Sequence, residues 1–214
     1  MSSNELKNLK QGYIKTQLSE ETVSKDPINQ FKQWYAEAEK SEVLEPSASI
    51  LSTADKNSFP SARTVLLKGV EERGFVFYTN YISKKAKDLS ENPNASLLFL
   101  WKELERQVRI EGKVEKVSGQ DSEKYFHSRP KESQISAWVS VQSSIIPDRK
   151  YLDDKFEEYN KKFGDGEIPL PDYWGGYILL PLYFEFWQGR ENRLHDRICY
   201  KKENKGWKIF RLAP

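Results

Sequence analysis

ASLLFLWKELERQVRIEGKVEKVS, residues 95–118, is the stretch whose reading decides the fold class. ASLLFLW (95–101) and ERQVRIEGKVEKVS (105–118) are extended runs joined by a short polar turn, and Val108, Ile110 and Val114 fall on one side at even spacing. Alternate residues of a strand share a face, so the pair reads as a long antiparallel hairpin. Upstream, ASILSTA (48–54), SARTVLLK (61–68) and GFVFYTN (74–80) are strand-like runs separated by the turn-like DKNSFP and GVEER. Downstream, the loop DGEIPLPDYWGG leads into the strand YILLPLYFEFWQG, and RICYKKENKGWKIFRLAP closes the chain as a hairpin turning at Asn204-Lys205-Gly206. Helices are predicted between these runs. Asp26-Pro27 supplies a cap and first-turn proline for a helix to about Glu42, with Ile28, Phe31, Trp34 and Tyr35 as its apolar side. Ser83 caps KKAKDLSEN; DSEKYFHS and ESQISAWVS follow; Leu152, Phe156, Tyr159 and Phe163 form a stripe that ends at Gly164. About seven strands with short connections, and no regular strand-helix alternation, give a mainly β (α+β) class: an antiparallel barrel with peripheral helices. Residues 1–25 are polar and weakly patterned, a mobile N-terminal arm, and 26–214 form a single domain.

The bulk numbers narrow the function. Charged residues are 31% of the chain, but the signs cancel to a formal +2, which argues against a nucleic-acid binder. No apolar run reaches the length of a membrane span, and MSSNELKNLKQGYIK lacks the apolar core of a secretion signal. One cysteine, Cys199, excludes an internal disulfide framework, and with only two histidines a structural zinc site is not expected. The reading is a cytoplasmic, metal-free protein.

Four stretches carry chemistry. In RTVLLK (63–68), Arg63 and Lys68 are an odd number of residues apart and face opposite sides of a strand, so each can meet a different ligand. In YTNYISKKAKDL (78–89), Lys84 and Lys85 occupy the first turn of a helix, where cations oppose the helix dipole unless an anion sits there. Tyr125, Arg129 and Ser133, four residues apart around a helix junction, offer two hydroxyls and a guanidinium to a phosphate, with Gln142 and Ser143 as neutral donors downstream. His127 faces elsewhere and is structural. WQGRENRLHDR (187–197) places Arg193, His195 and Arg197 at even spacing after Trp187; in an extended run all three share one face and suit a planar heteroaromatic ring. Asp196 alternates away from His195, so no Ser-His-Asp arrangement is present, and no G-x-G-x-x-G occurs. The plainer alternatives are solvated lysines and exposed strand ends. Together the stretches imply ligands with more than one phosphate and at least one flat ring.

In order along the chain, RTVLLK, FYTN-x-x-S-[RK]-K, LERQV, KYFHSRP with SQI-x-AWVS-x-QSS, PLP-x-(Y/F)WGG, FWQG with RLHDR, and a terminal RLAP resemble the pyridoxine/pyridoxamine 5′-phosphate oxidase family, from about residue 26 to the last. The resemblance implies a split β-barrel homodimer with flavin mononucleotide (FMN) at the subunit interface. It implies oxidation of pyridoxine 5′-phosphate or pyridoxamine 5′-phosphate to pyridoxal 5′-phosphate by dioxygen in vitamin B6 cofactor biosynthesis, with hydrogen peroxide released, and ammonia from the amine. Carried over motif by motif, FMN falls to Arg63, Thr64, Val65, Leu66, Leu67, Lys68, Tyr78, Thr79, Lys84, Lys85, Gln107, Gln142, Ser143, Trp187 and Arg197. The substrate falls to Lys68, Tyr125, Arg129 and Ser133 at its phosphate, and to Arg193, Leu194 and His195 at its ring, Arg193 and His195 being the catalytic pair.

The chain departs from the family pattern in places. Lys84 stands where many relatives have arginine, keeping the charge and losing the bidentate fork. Leu100 replaces a proline in an L-F-P-W run, and Tyr13, which matches a tyrosine of an arm that closes over substrate, is followed by IKTQLSEETV where some relatives carry arginines. Two rival readings remain: a non-catalytic carrier of flavin or pyridoxal phosphate, and another split-barrel flavoprotein such as a flavin reductase. Oxygen consumption on addition of pyridoxine 5′-phosphate separates the oxidase from the carrier; a reductase needs a nicotinamide site, which nothing in the sequence suggests.

Overall fold

The computed structural model describes residues 17–214. They hold strands β1 (Ala48–Ala54), β2 (Pro60–Leu66), β3 (Gly69–Val70), β4 (Phe75–Asn80), β5 (Asn94–Trp101), β6 (Arg106–Lys116), β7 (Trp174–Gln188), β8 (Asp196–Glu203) and β9 (Gly206–Arg211). The helices are α1 (Pro27–Lys40), α2 (Lys84–Glu91), α3 (Gly119–His127), α4 (Lys131–Val139) and α5 (Arg149–Phe163). The strands join in the order β2-β1-β5-β6-β7-β4-β3, with β8 paired to β7 and β9 to β8. The expected mainly β class, with helices between antiparallel strands, is what the chain adopts. Val108, Ile110 and Val114 all face inward, as their spacing predicts.

The described chain gathers into two compact units. One takes the chain up to Ser49 together with Leu97–Glu111 and Pro181–Pro214; the other takes Ile50–Ser96 and Gly112–Leu180. The first is built on aromatic packing. Asp26 caps α1 by accepting from the N–H groups of Ile28 and Asn29, and the helix then buries Ile28, Phe31, Trp34 and Ala38. Phe31 meets Phe99 edge-on at 4.9 Å, and Trp34 meets Phe186 at 5.3 Å. Residues 1–16 of the expected arm, Tyr13 among them, lie outside the described residues. The remainder is packed chain: Leu18 and Val23 are buried, the Leu18 N–H donates to Asp196, and the Tyr200 hydroxyl donates to the Ser24 carbonyl. Ordered packing therefore begins before residue 26.

The second unit carries β4 against the start of β7, with Tyr78 opposite Gly176 and Thr79 opposite Gly175. This pairing extends β7 back to Trp174, into what the sequence suggested was loop. The glycines are there for space. A Cβ on Gly176 would lie 2.7 Å from Tyr78 Cε1, and one on Gly175 would lie 2.3 Å from Tyr81 Oη. Beside them, Phe126, Ile135, Ala137, Val139, Ile168 and Trp174 form a core under α3 and α4, with α5 adding Leu152, Phe156, Tyr159 and Phe163. Gly176→Ala is expected to lower the free energy of unfolding in urea by about 1–3 kcal/mol, as over-packing usually does. Gly119→Ala, where nothing lies within 4 Å, should leave it unchanged or higher.

Candidate active site

The start of α2 sets the first cluster. Ser83 occupies the cap position but makes no side-chain cap bond; its hydroxyl donates to the Asn80 carbonyl at 2.7 Å instead. The helix end is thus not closed by the serine the sequence offered for it. Lys85, in the first turn, is only 8% exposed. Its ammonium donates to Gln142 Oε1 (2.7 Å), Thr79 Oγ1 (3.0 Å) and Ser83 Oγ (3.4 Å), all neutral oxygens. Burial, with the Arg63 guanidinium nearby, lowers its pKa to about 8. Arg63 Nη1 donates to Thr53 Oγ1 (2.7 Å) and to the Leu51 and Ser61 carbonyls, while Nη2 stands 3.6 Å from Asp88. Arg63, Lys84, Lys85, Gln142 and Ser143 line one cleft of about 570 Å³. Ser143 holds a left-handed φ of 72° and accepts from the Lys84 N–H at 3.2 Å.

A second cleft, of about 620 Å³, shares Thr64, Lys85 and Gln142 with the first, so the two adjoin. Lys68, Tyr125, Arg129 and Ser133, the four residues assigned to a phosphate, all line it, with Val65, Leu66, Tyr78 and Thr79. Arg63 and Lys68 therefore line different clefts, although β2 ends at Leu66, before Lys68. Leu67 does not join them; its side chain is buried. One wall is a stack of near-parallel rings: Tyr78 lies 3.8 Å from Tyr125 and 5.6 Å from Trp174, at 17° and 12°. The Arg129 guanidinium sits 4.7 Å over Trp174, and its Nη1 is buried with no hydrogen-bond partner. A buried donor left unpaired costs roughly 1–3 kcal/mol, and more where the group is charged. Burial also lowers the Arg129 pKa. An anionic oxygen would give this atom an acceptor. Burial pushes Tyr78 up to about 12, so its hydroxyl stays protonated at neutral pH.

The remaining candidates belong to the other unit and are not among the residues lining these clefts. Here the sequence expectation of an extended Arg193–His195–Arg197 row is corrected. Glu191–Arg193 form a 3-10 turn in which Asn192 and Arg193 have φ of 56° and 61°, and β8 starts only at Asp196. Left-handed residues reverse the chain, so alternation does not run through them. Arg193 and Leu194 are exposed. The His195 ring lies 4.6 Å from that of Trp187, and its Nδ1 accepts from the Arg190 N–H at 3.1 Å. That bond leaves the proton on Nε2, and burial with the Arg193 charge lowers the pKa, so the ring is neutral at pH 7. Arg197 forks through Nε and Nη2 onto both oxygens of Glu185 (2.9 and 3.0 Å), and its Nη1 donates to the Ala213 carbonyl. Glu185 also accepts from Arg109 Nη2 at 2.7 Å. Burial raises the Glu185 pKa, but the bonds from Arg197 and Arg109 outweigh it and hold the carboxyl ionised. Gln107 lies half-buried on β6. Trp174, Asp88, Thr53 and Glu185 were missed by the motif reading. Of these, Glu185 had a signal, a lone acid inside the apolar run YILLPLYFEFW.

Fold and clefts together define an antiparallel split-barrel protein with two adjoining cationic clefts, one of them aromatic-walled. The family model for pyridoxamine 5′-phosphate oxidase matches residues 35–163, and that for the pyridoxine 5′-phosphate oxidase C-terminal dimerisation region matches residues 174–214. The chain belongs to the pyridoxamine 5′-phosphate oxidase family. It is 52% identical over 209 residues to pyridoxine/pyridoxamine 5′-phosphate oxidase 2 of Hydrogenovibrio crunogenus, covering 98% of each chain. It is 53% identical over 207 residues to pyridoxine/pyridoxamine 5′-phosphate oxidase of Rippkaea orientalis, covering 96% of this chain and 98% of that one. Among solved structures, PhzG from Burkholderia lata, in complex with tetrahydrophenazine-1-carboxylic acid, superposes with a TM-score of 0.89 at 29% identity, over 95% of this chain and all of that one. A pyridoxamine 5′-phosphate oxidase-related, FMN binding protein from Nostoc punctiforme shares the fold, with a TM-score of 0.71 at 16% identity over 93% of this chain and 100% of that one.

Lys85 titrates below an unfolded lysine, so between about 8 and 10.5 the unfolded chain holds the extra proton and the ligand-free fold gains stability as pH rises. Anion binding runs the other way, because it needs the ammonium. The increase in melting temperature produced by inorganic phosphate is therefore expected to shrink as pH passes about 8. Lys85→Met should abolish that pH dependence; a phosphate effect of constant size across this range in the unaltered protein would rule out the Lys85 assignment.

Proposed function

We propose that this protein is an FMN-dependent oxidase that converts pyridoxine 5′-phosphate or pyridoxamine 5′-phosphate to pyridoxal 5′-phosphate. Dioxygen is the electron acceptor; hydrogen peroxide is released, and ammonia from the amine. The observation that carries the reading is the adjoining pair of clefts, one around the neutral-ligated Lys85 ammonium and the other around the unpartnered Arg129 Nη1. Two phosphorylated ligands in adjoining clefts are what such an enzyme has to seat. The names of the relatives at about 50% identity over the whole chain support the same substrates.

The residues fit the cofactor by their chemistry. Arg63, Lys84, Lys85 and Ser143 would hold the FMN phosphate, with Thr64, Thr79 and Gln142 beside it. When bound, FMN supplies a two-electron acceptor for the substrate's 4′ carbon. The chain's own part is positioning. Lys68, Arg129 and the hydroxyls of Tyr125 and Ser133 anchor the substrate phosphate, and fixing a reactant in near-attack geometry can be worth about 7–11 kcal/mol. Arg193 and neutral His195 frame the pyridine ring: the guanidinium stabilises charge on the phenolic oxygen, and the Nε2–H is a hydrogen-bond donor. Neither is assigned as an obligate base. The match of residues 174–214 to a dimerisation region supports a homodimer, with FMN at the interface and Gln107, Trp187 and Arg197 contributing there. Among the described residues no helix is long and apolar enough to cross a membrane, and the proposed location is the cytoplasm.

The purified protein with FMN is expected to consume oxygen when given pyridoxine 5′-phosphate. A protein that binds FMN but consumes none is a carrier, not an oxidase. Arg193→Ala should lower turnover about a hundredfold, the scale of losing one preorganised donor to developing charge, with FMN content retained. Unchanged turnover would remove Arg193 from the catalytic pair.

A further inference from the structure

Asp88 has no part in the roles that the family motifs assign, yet the cations of the first cleft are arranged around it. It lies one helical turn after Lys84 on α2 and is 2% exposed. Its Oδ2 accepts from the Thr53 hydroxyl at 2.7 Å, and the same Thr53 oxygen accepts from Arg63 Nη1 at 2.7 Å. Its Oδ1 accepts from Lys84 Nζ at 3.1 Å. One buried carboxylate thus joins a cation from β2 to a cation from α2, through a strand hydroxyl and a 3.6 Å ion pair on one side and a hydrogen bond on the other.

We propose that Asp88 is a positioning residue for the cofactor phosphate: through Thr53 and Lys84 it fixes the Arg63 guanidinium and the Lys84 ammonium in the cleft that receives the phosphate of FMN. This rests on the FMN reading above. Three features support it. Arg63 Nη1 is taken up by Thr53 and two carbonyls and Nη2 is ion-paired with Asp88 at 3.6 Å, so the guanidinium of a cleft-lining residue is held through both nitrogens. Lys84 is a flexible point charge, 54% exposed at its side chain, and the contact four residues along α2 confines it. Charge balance agrees as well. Arg63, Lys84 and Lys85 against one Asp88 leave two positive charges, which match a phosphate monoester of about −1.5 to −2. Burial raises the Asp88 pKa, but the bonds from Thr53 and Lys84 outweigh it, so the carboxylate is charged when the cleft is in use.

The sign of one substitution separates this role from simple electrostatics. If Asp88 were only a negative charge near the phosphate, Asp88→Asn would tighten FMN binding. A positioning residue predicts the opposite. Titration of the full chain by quenching of flavin fluorescence should show FMN binding weakened about tenfold, the scale of a lost charge-assisted bond, with riboflavin, which lacks the phosphate, unaffected. Equal weakening of both flavins, or tighter FMN binding, overturns the proposal and leaves the FMN assignment standing. Unaltered protein that binds FMN no better than riboflavin overturns the phosphate assignment itself. Should Asp88→Asn fail to fold, Thr53→Val removes the hydroxyl bridge with every charge kept. It is expected to weaken FMN several-fold with riboflavin unchanged; no change in FMN binding overturns the proposal.

Discussion

Positive charge withheld from water is the constraint on which the site depends. Lys85 is buried among neutral oxygens, with Arg63 near enough to lower its pKa. Desolvating an ammonium and placing a guanidinium beside it both oppose folding. Evolution toward stability alone would have put a carboxylate against Lys85. The residues around it do the reverse. Thr79 and Gln142 orient the ammonium without neutralising it, and Asp88 is committed to Arg63 and Lys84. Charge left uncompensated in adjoining clefts is, on the proposed reading, affinity held in reserve for anions that arrive from solution.

The other unit solves a similar problem in the opposite way. Glu185 is buried between Arg109 and Arg197, and both of its oxygens are filled. The cations there are compensated by the protein itself, so Arg197 enters any binding event already fixed. Removing Glu185 would leave two guanidinium groups without their shared acid, the arrangement in which buried ion pairs are most costly to break. Glu185 therefore reads as the partner that holds Arg197 still, and the arginine's remaining N–H capacity is what a ligand could use. The contrast is one of compensation: an acid holds Arg197 still, whereas Lys85 is met by neutral oxygens and Arg129 Nη1 by no partner.

Much of this was legible in the chain. Period-two runs gave the strands, Asp26-Pro27 gave the start of α1, and the spacing of Tyr125, Arg129 and Ser133 placed them on one cleft because two short helices meet at Arg129-Pro130. Three features were not legible, each for a physical reason. Trp174 to Gly176 looked like loop because glycine disfavours strands in general; here the small residues admit the Tyr78 and Tyr81 rings, a tertiary demand no local pattern announces. The Arg193–His195–Arg197 row failed because Asn192 and Arg193 adopt left-handed φ, and arginine gives no hint of that. Asp88 and Thr53 were overlooked because their importance lies in contacts 35 residues apart along the chain, and in bonds to cations that drew the attention first.

The two clefts are also electrostatically unequal, and this has a consequence for how they divide their ligands. Arginine cannot lose its charge in any accessible pH range, even with its pKa lowered by burial, so the Arg129 cleft keeps its cation throughout. Lys85, poised near 8, can lose its proton within the range in which enzymes work. A tightly held, seldom exchanged cofactor suits the Lys85 side, where Arg63 and Lys84 add fixed charge and the phosphate, once seated, stabilises the ammonium and raises its pKa again. On the proposed reading, a substrate that must enter and leave at each turnover suits the Arg129 side, where a guanidinium stacked on Trp174 is joined by two hydroxyls and the exposed Lys68.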